Sequence, residues 1–282
     1  MDKNKILIFN DGSNIKKRKI NYTKESINHP SKMHIELCIW IINTFTKEYS
    51  TILDPMAGIF TTGIEGTLLK RNVIGLELEQ EYVKQGNKSI KILKSKLKVT
   101  SKNNNIHSYI TQGDAKDISM IFKDKKFDTI IFSPPYFNRT TGFNIKNKEK
   151  WMKFRMNKWY KGKLSKEALK RQTYNWTKKQ YSDDKNIAKN NKISTYFDNM
   201  FEIYTECFKI LNTSGLMILV TKNPVINKKQ FHIDKKTIDI CEEIGFKLFD
   251  RYYRKLKNKG IWQRTYEKKW KEKYPSKECP IA

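Results

Sequence analysis

A mostly parallel sheet with helices on both faces, an α/β fold, is what this chain predicts from three observations. Short β-branched runs alternate with helical patterns, as they do when successive strands are joined by helical crossovers. The length of 282 residues suits one large α/β domain, or one with a substantial insertion. Acidic residues close three of the runs, at Asp54, Glu77 and Asp114, the end at which open α/β sheets bind ligands.

Strands are expected at Ser50–Leu53, Asn72–Glu77, Ser108–Gln112, Phe127–Phe132, Leu216–Thr221 and Phe246–Tyr253. Helical spacing fills Ser31–Lys47, Thr61–Lys70, Glu79–Leu97, Thr195–Leu211 and Asp234–Ile244. The last helix has an acidic cap at Asp234 and a stop signal at Gly245. A seventh strand closing such a sheet belongs after Tyr274, and none is expected before Ala282. No internal repeat is evident.

The formal net charge is +28, from 57 basic and 29 acidic residues. Richness in Lys, Asn and Ile is what AT-rich coding sequence produces, yet a field of that sign attracts polyanions whatever its origin. Nucleic acid is the expected partner rather than an anionic membrane, because no segment reads as a basic amphipathic anchor. The cysteines (Cys38, Cys207, Cys241, Cys279) are scattered, and the first three fall in apolar helical patterns, as small core residues in a reducing compartment. The four histidines form no ligating cluster, so no metal is expected. MDKNKILIFNDGS lacks a long apolar stretch and no run of membrane-spanning length follows, so a soluble cytoplasmic protein is expected.

Residues 137–194 break the strand–helix rhythm. Over Phe137–Lys192, 17 Lys/Arg face 4 Asp/Glu and are interleaved with nine aromatics, including Trp151, Trp159 and Trp176. Basic residues mixed with rings suit a nucleic-acid backbone and its bases, whereas disordered segments avoid aromatics. The division expected is a basic N-terminal segment at 1–27, a first α/β half at 28–136, which the resemblance given below makes the cofactor-binding and catalytic half, this basic aromatic insertion at 137–194, which it makes a target-recognition insertion, and a C-terminal half at 195–282.

Two motifs carry chemistry. Ser133-Pro134-Pro135-Tyr136 ends the apolar run Phe127–Phe132. The prolines remove two donors and fix φ, so a polar acceptor, a fixed carbonyl and a flat ring can hold a planar group that carries an NH2. Asp54-Pro55-Met56-Ala57-Gly58-Ile59-Phe60-Thr61-Thr62-Gly63 ends the first strand and matches neither a dinucleotide nor a triphosphate loop. Glu77, 23 residues beyond Asp54, is placed to accept both hydroxyls of a ribose, and Gln112-Gly113-Asp114-Ala115 sets another carboxylate near an adenine amino group. Three carboxylates without a phosphate cradle suit a cationic nucleoside bearing an amino acid, which describes S-adenosylmethionine.

With these residues in order, the chain resembles the amino-methyltransferases of DNA, the N4-cytosine and N6-adenine enzymes. His29-Pro30-Ser31-Lys32-Met33 is similar to their HPxKM element, Asp54 to Thr62 to their DPMxGxGTT loop, and Ser133–Tyr136 to their catalytic (S/D/N)PP(Y/F). Asn199-Met200, Val220-Thr221-Lys222-Asn223-Pro224 and Ile238 to Phe246 resemble the later part of the same domain, so the likeness runs from Asn28 to Tyr253 apart from the insertion.

The resemblance implies a Rossmann-like S-adenosylmethionine-dependent methyltransferase fold with the basic insertion after its fourth strand. It implies a cofactor site of Ser31, Lys32, Met33, Asp54, Pro55, Met56, Ala57, Gly58, Thr61, Thr62, Glu77, Asp114, Ala115 and Ser133, and a catalytic set of Ser133, Pro134, Pro135 and Tyr136. The implied partner is double-stranded DNA with the target base flipped out, and a separate restriction endonuclease is a further candidate. Ser at the first motif position is more typical of cytosine-N4 enzymes; adenine-N6 transfer, RNA amino-methylation and a decayed nucleic-acid-binding protein are the alternatives. Phe60 departs from the pattern by standing where a glycine is expected, and its side chain is expected to crowd the loop or displace the cofactor.

Overall fold

The computed structural model describes residues 5–9, 14–27, 32–97, 106–135, 187, 193–226, 229–255 and 272. Its first half runs β1 (Ile6–Ile8), α1 (Asn14–Asn21), α2 (Lys24–Ile27), α3 (Ile35–Phe45), β2 (Thr51–Asp54), α4 (Thr61–Leu68), β3 (Asn72–Glu77) and α5 (Gln80–Lys96). There follow β4 (Ser108–Gln112), a 3-10 turn at Ala115–Asp117, α6 (Ile118–Ile121) and β5 (Phe127–Phe132). The last part holds α7 (Ile193–Ile210), β6 (Leu211–Leu219), the short hairpin β7 (Val225–Ile226) and β8 (Lys229–Gln230), α8 (Ile233–Ile244) and β9 (Tyr253–Lys255).

Five strands form one parallel sheet in the order β4-β3-β2-β5-β6. Successive side chains on a strand point to opposite faces, and here both faces are apolar. Ile52, Val73, Ile110 and Ile131 pack with α3, α4 and α5, whereas Leu53, Ile74, Leu76, Ile130 and Phe132 pack with α6, α7 and α8. Each such fully buried side chain contributes about 1.5–3 kcal/mol, which is why the apolar runs dictate strand position and register so firmly. The order reverses between β2 and β5, because β2 is followed on one side by β3 and on the other by β5. This is the topological switch point at which open α/β sheets place their ligands, and Asp54 and Ser133 stand at its two lips.

Three expected strands, Asn72–Glu77, Ser108–Gln112 and Phe127–Phe132, lie where their apolar runs put them. Other readings need correction. The strand expected at Leu216–Thr221 runs from Leu211 to Leu219, with a register shift opposite Phe127 and Thr129 that accommodates Asn212 to Gly215 as a bulge and sets Ser214 at φ 64°. Phe246–Tyr253 is not a sixth strand of the sheet. Its aromatics serve helices instead, Phe246 edge-on to Phe208 and Tyr252 edge-on to Trp40, and only Tyr253–Lys255 pairs, parallel to β1. Helix α3 begins at Ile35 rather than Ser31, with His34 Nδ1 accepting from the Leu37 N–H. The cap of α8 is His232, not Asp234, whose carboxylate instead pairs with Arg251. Residues 115–121, expected as no element, form the 3-10 turn and α6.

The basic N-terminal segment carries structure of its own. Helices α1 and α2 lie against α5, where the Thr23 N–H donates to Ser89 Oγ at 3.3 Å and Lys96 Nζ donates to the Ile20 carbonyl. The basic aromatic stretch Phe137–Lys192 and the region after Tyr274 lie outside the described residues, Ile187 excepted. Cys38 and Cys207 are buried and Cys241 is half-buried. No helix among the described residues is long and apolar enough to cross a membrane.

Candidate active site

A cleft of about 950 Å³, counted to its open mouth, lies beyond the carboxyl ends of β2, β3, β4 and β5. All the residues expected at the cofactor site line it except Ser31, which lies outside the described residues. Four turns bring them together: the β2–α4 loop supplies Asp54 to Thr62, β3 ends in Glu77, the β4 exit supplies Asp114 and Ala115, and β5 ends in Ser133. Lys32 and Met33 close the side nearest α3.

The β2–α4 loop is folded by its own backbone and by one carboxylate. The Ala57 N–H donates to the Leu76 carbonyl at 3.0 Å, and the Phe60 N–H to the Ala57 carbonyl at 2.7 Å. Gly58, at φ 52°, turns its N–H onto Glu77 Oε2 at 2.7 Å, while the Glu79 N–H reaches Glu77 Oε1 at 3.0 Å. Both oxygens of Glu77 are thus held by the main chain, which fixes the carboxylate at the edge of the cleft. Burial pushes the Glu77 carboxyl up to about 7, opposed by the Glu79 and Gly58 N–H groups.

Asp54, only 3% exposed, accepts the Met56 N–H on Oδ1 at 3.2 Å, and burial pushes its carboxyl likewise to about 7. The Thr62 hydroxyl stands near enough to Asp54 to favour the ionised form, yet Thr62 Oγ1 is buried without hydrogen-bond geometry to any partner. An orphaned buried hydroxyl on a cleft wall is a group waiting for a ligand atom. Asp114 caps the 3-10 turn through its Oδ1, which accepts the Lys116 N–H at 3.0 Å.

Phe60 does not crowd the cleft. It adopts φ 62° and ψ 45°, the left-handed conformation for which glycine is favoured, and is wholly buried away from the lining. Its side chain fills a slot made by three glycines of α4, β3 and α5. A Cβ on Gly63 would fall 2.1 Å from the ring, one on Gly75 2.6 Å, and one on Gly86 3.2 Å from the Phe60 Cβ. The phenylalanine points into the core because the glycines make room there, and Ile59 takes the neighbouring position on the cleft wall.

At the other lip, Ser133 Oγ donates to the Val220 carbonyl at 3.0 Å, and the Val220 N–H donates to the Phe132 carbonyl at 3.0 Å. The hydroxyl proton is committed to the Val220 carbonyl, just beyond β6, leaving the Ser133 lone pairs as acceptors toward the cleft. Pro135 lines the cleft and Pro134 is buried behind it; Tyr136 lies outside the described residues. Sequence reasoning missed Ile59, Leu78, Gly113, Ile187 and Ile203 on the lining, apolar or small residues with no chemical signature. It also missed Arg18, which reaches the Thr61 hydroxyl from α1.

Comparison with known proteins gives a partial match. Residues 4–88, which bring Met33, Asp54 and Glu77 to the cleft, match the family model described as DNA methylase. Over 63 residues the chain is 41% identical to the type II methyltransferase M2.MboI of Moraxella bovis, covering 22% of this chain and 23% of that one. Over 59 residues it is 39% identical to the DNA adenine methyltransferase YhdJ of Escherichia coli K12, covering 21% and 20% respectively. The chain therefore matches under a quarter of the length of these curated relatives. A solved TehB-like SAM-dependent methyltransferase from Corynebacterium glutamicum covers 83% of this chain and 82% of its own, at 10% identity; its TM-score of 0.41 carries no argument about the site. What the matches establish is a DNA-methylase-like sequence over the segment that forms the first wall of the cleft.

Proposed function

We propose that this chain transfers a methyl group from S-adenosylmethionine to the exocyclic N4 of cytosine in DNA. The observation that carries the reading is the Ser133–Val220 hydrogen bond, which makes the Ser133 hydroxyl an acceptor at the lip of a carboxylate-lined cleft. The DNA-methylase match over residues 4–88 supports the substrate class, as does a net charge of +28.

The cleft fits the cofactor on its own chemistry. Asp54, Glu77 and Asp114 suit a cation and its hydroxyls, and the orphaned Thr62 hydroxyl leaves a polar atom for the ligand to satisfy. In this reading Glu77 holds the ribose, Asp114 faces the adenine, and Lys32, Met33 and the Asp54–Thr62 loop enclose the amino-acid end. Bound there, S-adenosylmethionine supplies a methyl group already activated on a sulfonium.

The protein's work is alignment. The amino nitrogen of cytosine is a poor nucleophile because its lone pair is delocalised into the ring. Ser133 Oγ accepts one N–H and the Pro134 carbonyl the other, drawing the nitrogen pyramidal so that its lone pair faces the incoming methyl. The nitrogen gains the methyl and releases one proton to solvent, and neutral Ser133 needs no change of protonation. Asp54 and Glu77, ionised above about pH 7, oppose the cationic side of the reaction centre. A duplex base reaches Ser133 only when flipped from the stack, with Tyr136 as its stacking surface.

Adenine-N6 transfer is the second reading, favoured by the likeness to a DNA adenine methyltransferase. One experiment separates the two: incubate the protein with mixed duplex DNA and labelled S-adenosylmethionine, digest to nucleosides, and identify the labelled base. N4-methylcytosine is expected; N6-methyladenine would replace the first reading by the second. No label in the DNA, with label taken up by tRNA in a parallel incubation at equal salt or by neither substrate, would overturn both.

A further inference from the structure

We propose that Arg18, on the N-terminal helix α1, is a positioning residue that fixes the Thr61 hydroxyl as a donor aimed at the carboxylate of the cleft's ligand. The proposal rests on the reading of the cleft as an S-adenosylmethionine site.

Arg18 is only 4% exposed, and its guanidinium is placed by three contacts. Nη1 donates to Thr61 Oγ1 at 3.1 Å, Nη2 donates to the Met33 carbonyl, and the guanidinium lies 4.9 Å from the centre of the Tyr22 ring. Tyr22 in turn donates its hydroxyl to Glu65 Oε1 at 2.9 Å, so the buried cation has a buried carboxylate nearby. Burying a guanidinium is a poor way to gain stability, because desolvation offsets the Coulombic return. Its two hydrogen bonds go to residues that both line the cleft, Thr61 and Met33.

The consequence follows from the donor inventory. Arginine donates and cannot accept, so Thr61 Oγ1 accepts a hydrogen bond from Arg18 and must direct its own proton elsewhere. Among the described residues Thr61 Oγ1 has no other hydrogen bond, and the direction left is the cleft. Thr61 is the first residue of α4, whose N-terminal end carries partial positive charge, and Thr62 beside it presents the buried hydroxyl without a partner. A carboxylate is the group that takes two hydroxyl donors at a helix N-terminus. Arg18 sets the direction of the first donor and, through Met33, the wall opposite it.

Calorimetry with two probes tests this: S-adenosylmethionine, and its decarboxylated analogue, which keeps the sulfonium and the amine. Arg18→Met is expected to weaken S-adenosylmethionine binding about tenfold, the loss of one hydrogen bond to a charged group, and to leave the analogue unchanged within twofold. Thr61→Val is expected to show the same selective loss, and the double variant no further loss. Equal weakening of both probes, or none, would overturn the assignment. Should Arg18→Met fail to fold, Arg18→Lys, which keeps a buried cation but not the fork that reaches both Thr61 and Met33, replaces it with the same selective loss expected, and equal weakening of both probes or none there overturns the assignment. Wild-type protein that binds neither probe would instead overturn the cofactor reading on which the proposal stands.

Discussion

Replacing Gly63 by alanine tests the packing that lets Phe60 occupy a left-handed position. A Cβ at residue 63 would fall 2.1 to 2.4 Å from three atoms of the Phe60 ring. The ring has no retreat, because Gly75 already brings β3 against it, Gly86 brings α5 against the Phe60 Cβ, and Phe60 is wholly buried. Overpacking of this kind costs about 1–3 kcal/mol, and with the ring enclosed the upper end applies. Against it stands the gain of alanine over glycine inside a helix, about 1 kcal/mol, so Gly63→Ala is expected to destabilise by roughly 2 kcal/mol.

Phe60→Gly removes the ring and relieves the left-handed strain of about 1 kcal/mol, but forfeits about 3–5 kcal/mol of burial and packing. In that background the same Gly63→Ala change meets no ring and keeps only its helical gain, a stabilisation of about 1 kcal/mol. The sign of one substitution therefore reverses with the other, a coupling of about 3 kcal/mol. Urea unfolding of the four proteins at one pH measures it, with the denaturant slope checked for constancy. A coupling below about 0.5 kcal/mol, the scatter of independent sites, would refute the account of Phe60 as a residue accommodated by its glycines.

Three other outcomes are expected. The carboxyls of Asp54 and Glu77, raised from about 4 to about 7 by burial, hold protons in the fold that the unfolded chain has released, so the stability of the unliganded protein is full below about pH 4, falls as pH rises from there to 7, and levels off above. Cation binding needs the ionised forms, so affinity for S-adenosylmethionine runs the other way, falling about tenfold per unit below pH 7 for each group that must ionise; thermal scans and calorimetry across pH 5.5–8.5 showing parallel slopes would contradict this. Ser133→Ala is expected to abolish methyl transfer, to leave S-adenosylmethionine affinity within about threefold, and to lower stability by about 0.5–1.5 kcal/mol through the lost bond to Val220, measured by filter binding, calorimetry and denaturation. Gly245 ends α8 at φ 116°, its N–H and that of Phe246 closing onto Glu242 and Cys241, so Gly245→Ala is expected to cost about 1–2 kcal/mol in urea unfolding, and a neutral result would contradict the turn assignment.

How much of this was legible in the chain varies by residue. Strands β3 and β5 are readable because apolar runs buried on both faces end at polar or turn residues, and β4, at the sheet edge, because buried and exposed residues alternate along it; their ends carry Glu77, Ser133 and Asp114. The tail from Phe246 to Tyr252 misleads because aromatics spaced for helix packing mimic a strand, and pairing partners are not a local property. Phe60 misleads for a related reason. A residue in place of an expected glycine reads as an obstruction when only its neighbours in sequence are weighed, whereas two of its three accommodating glycines lie on other elements, β3 and α5.

The amino-acid order by itself determined which residues meet at the cleft, since a parallel sheet delivers every strand end to one edge and needs no side-chain detail to do so. Only the tertiary structure decided what those residues are free to do. It turned Phe60 inward, committed the Ser133 proton to Val220, and drew Arg18 across 43 positions onto Thr61. Hydrogen-bond direction and side-chain orientation arise from contacts between distant segments, and a pattern of residue types does not contain them.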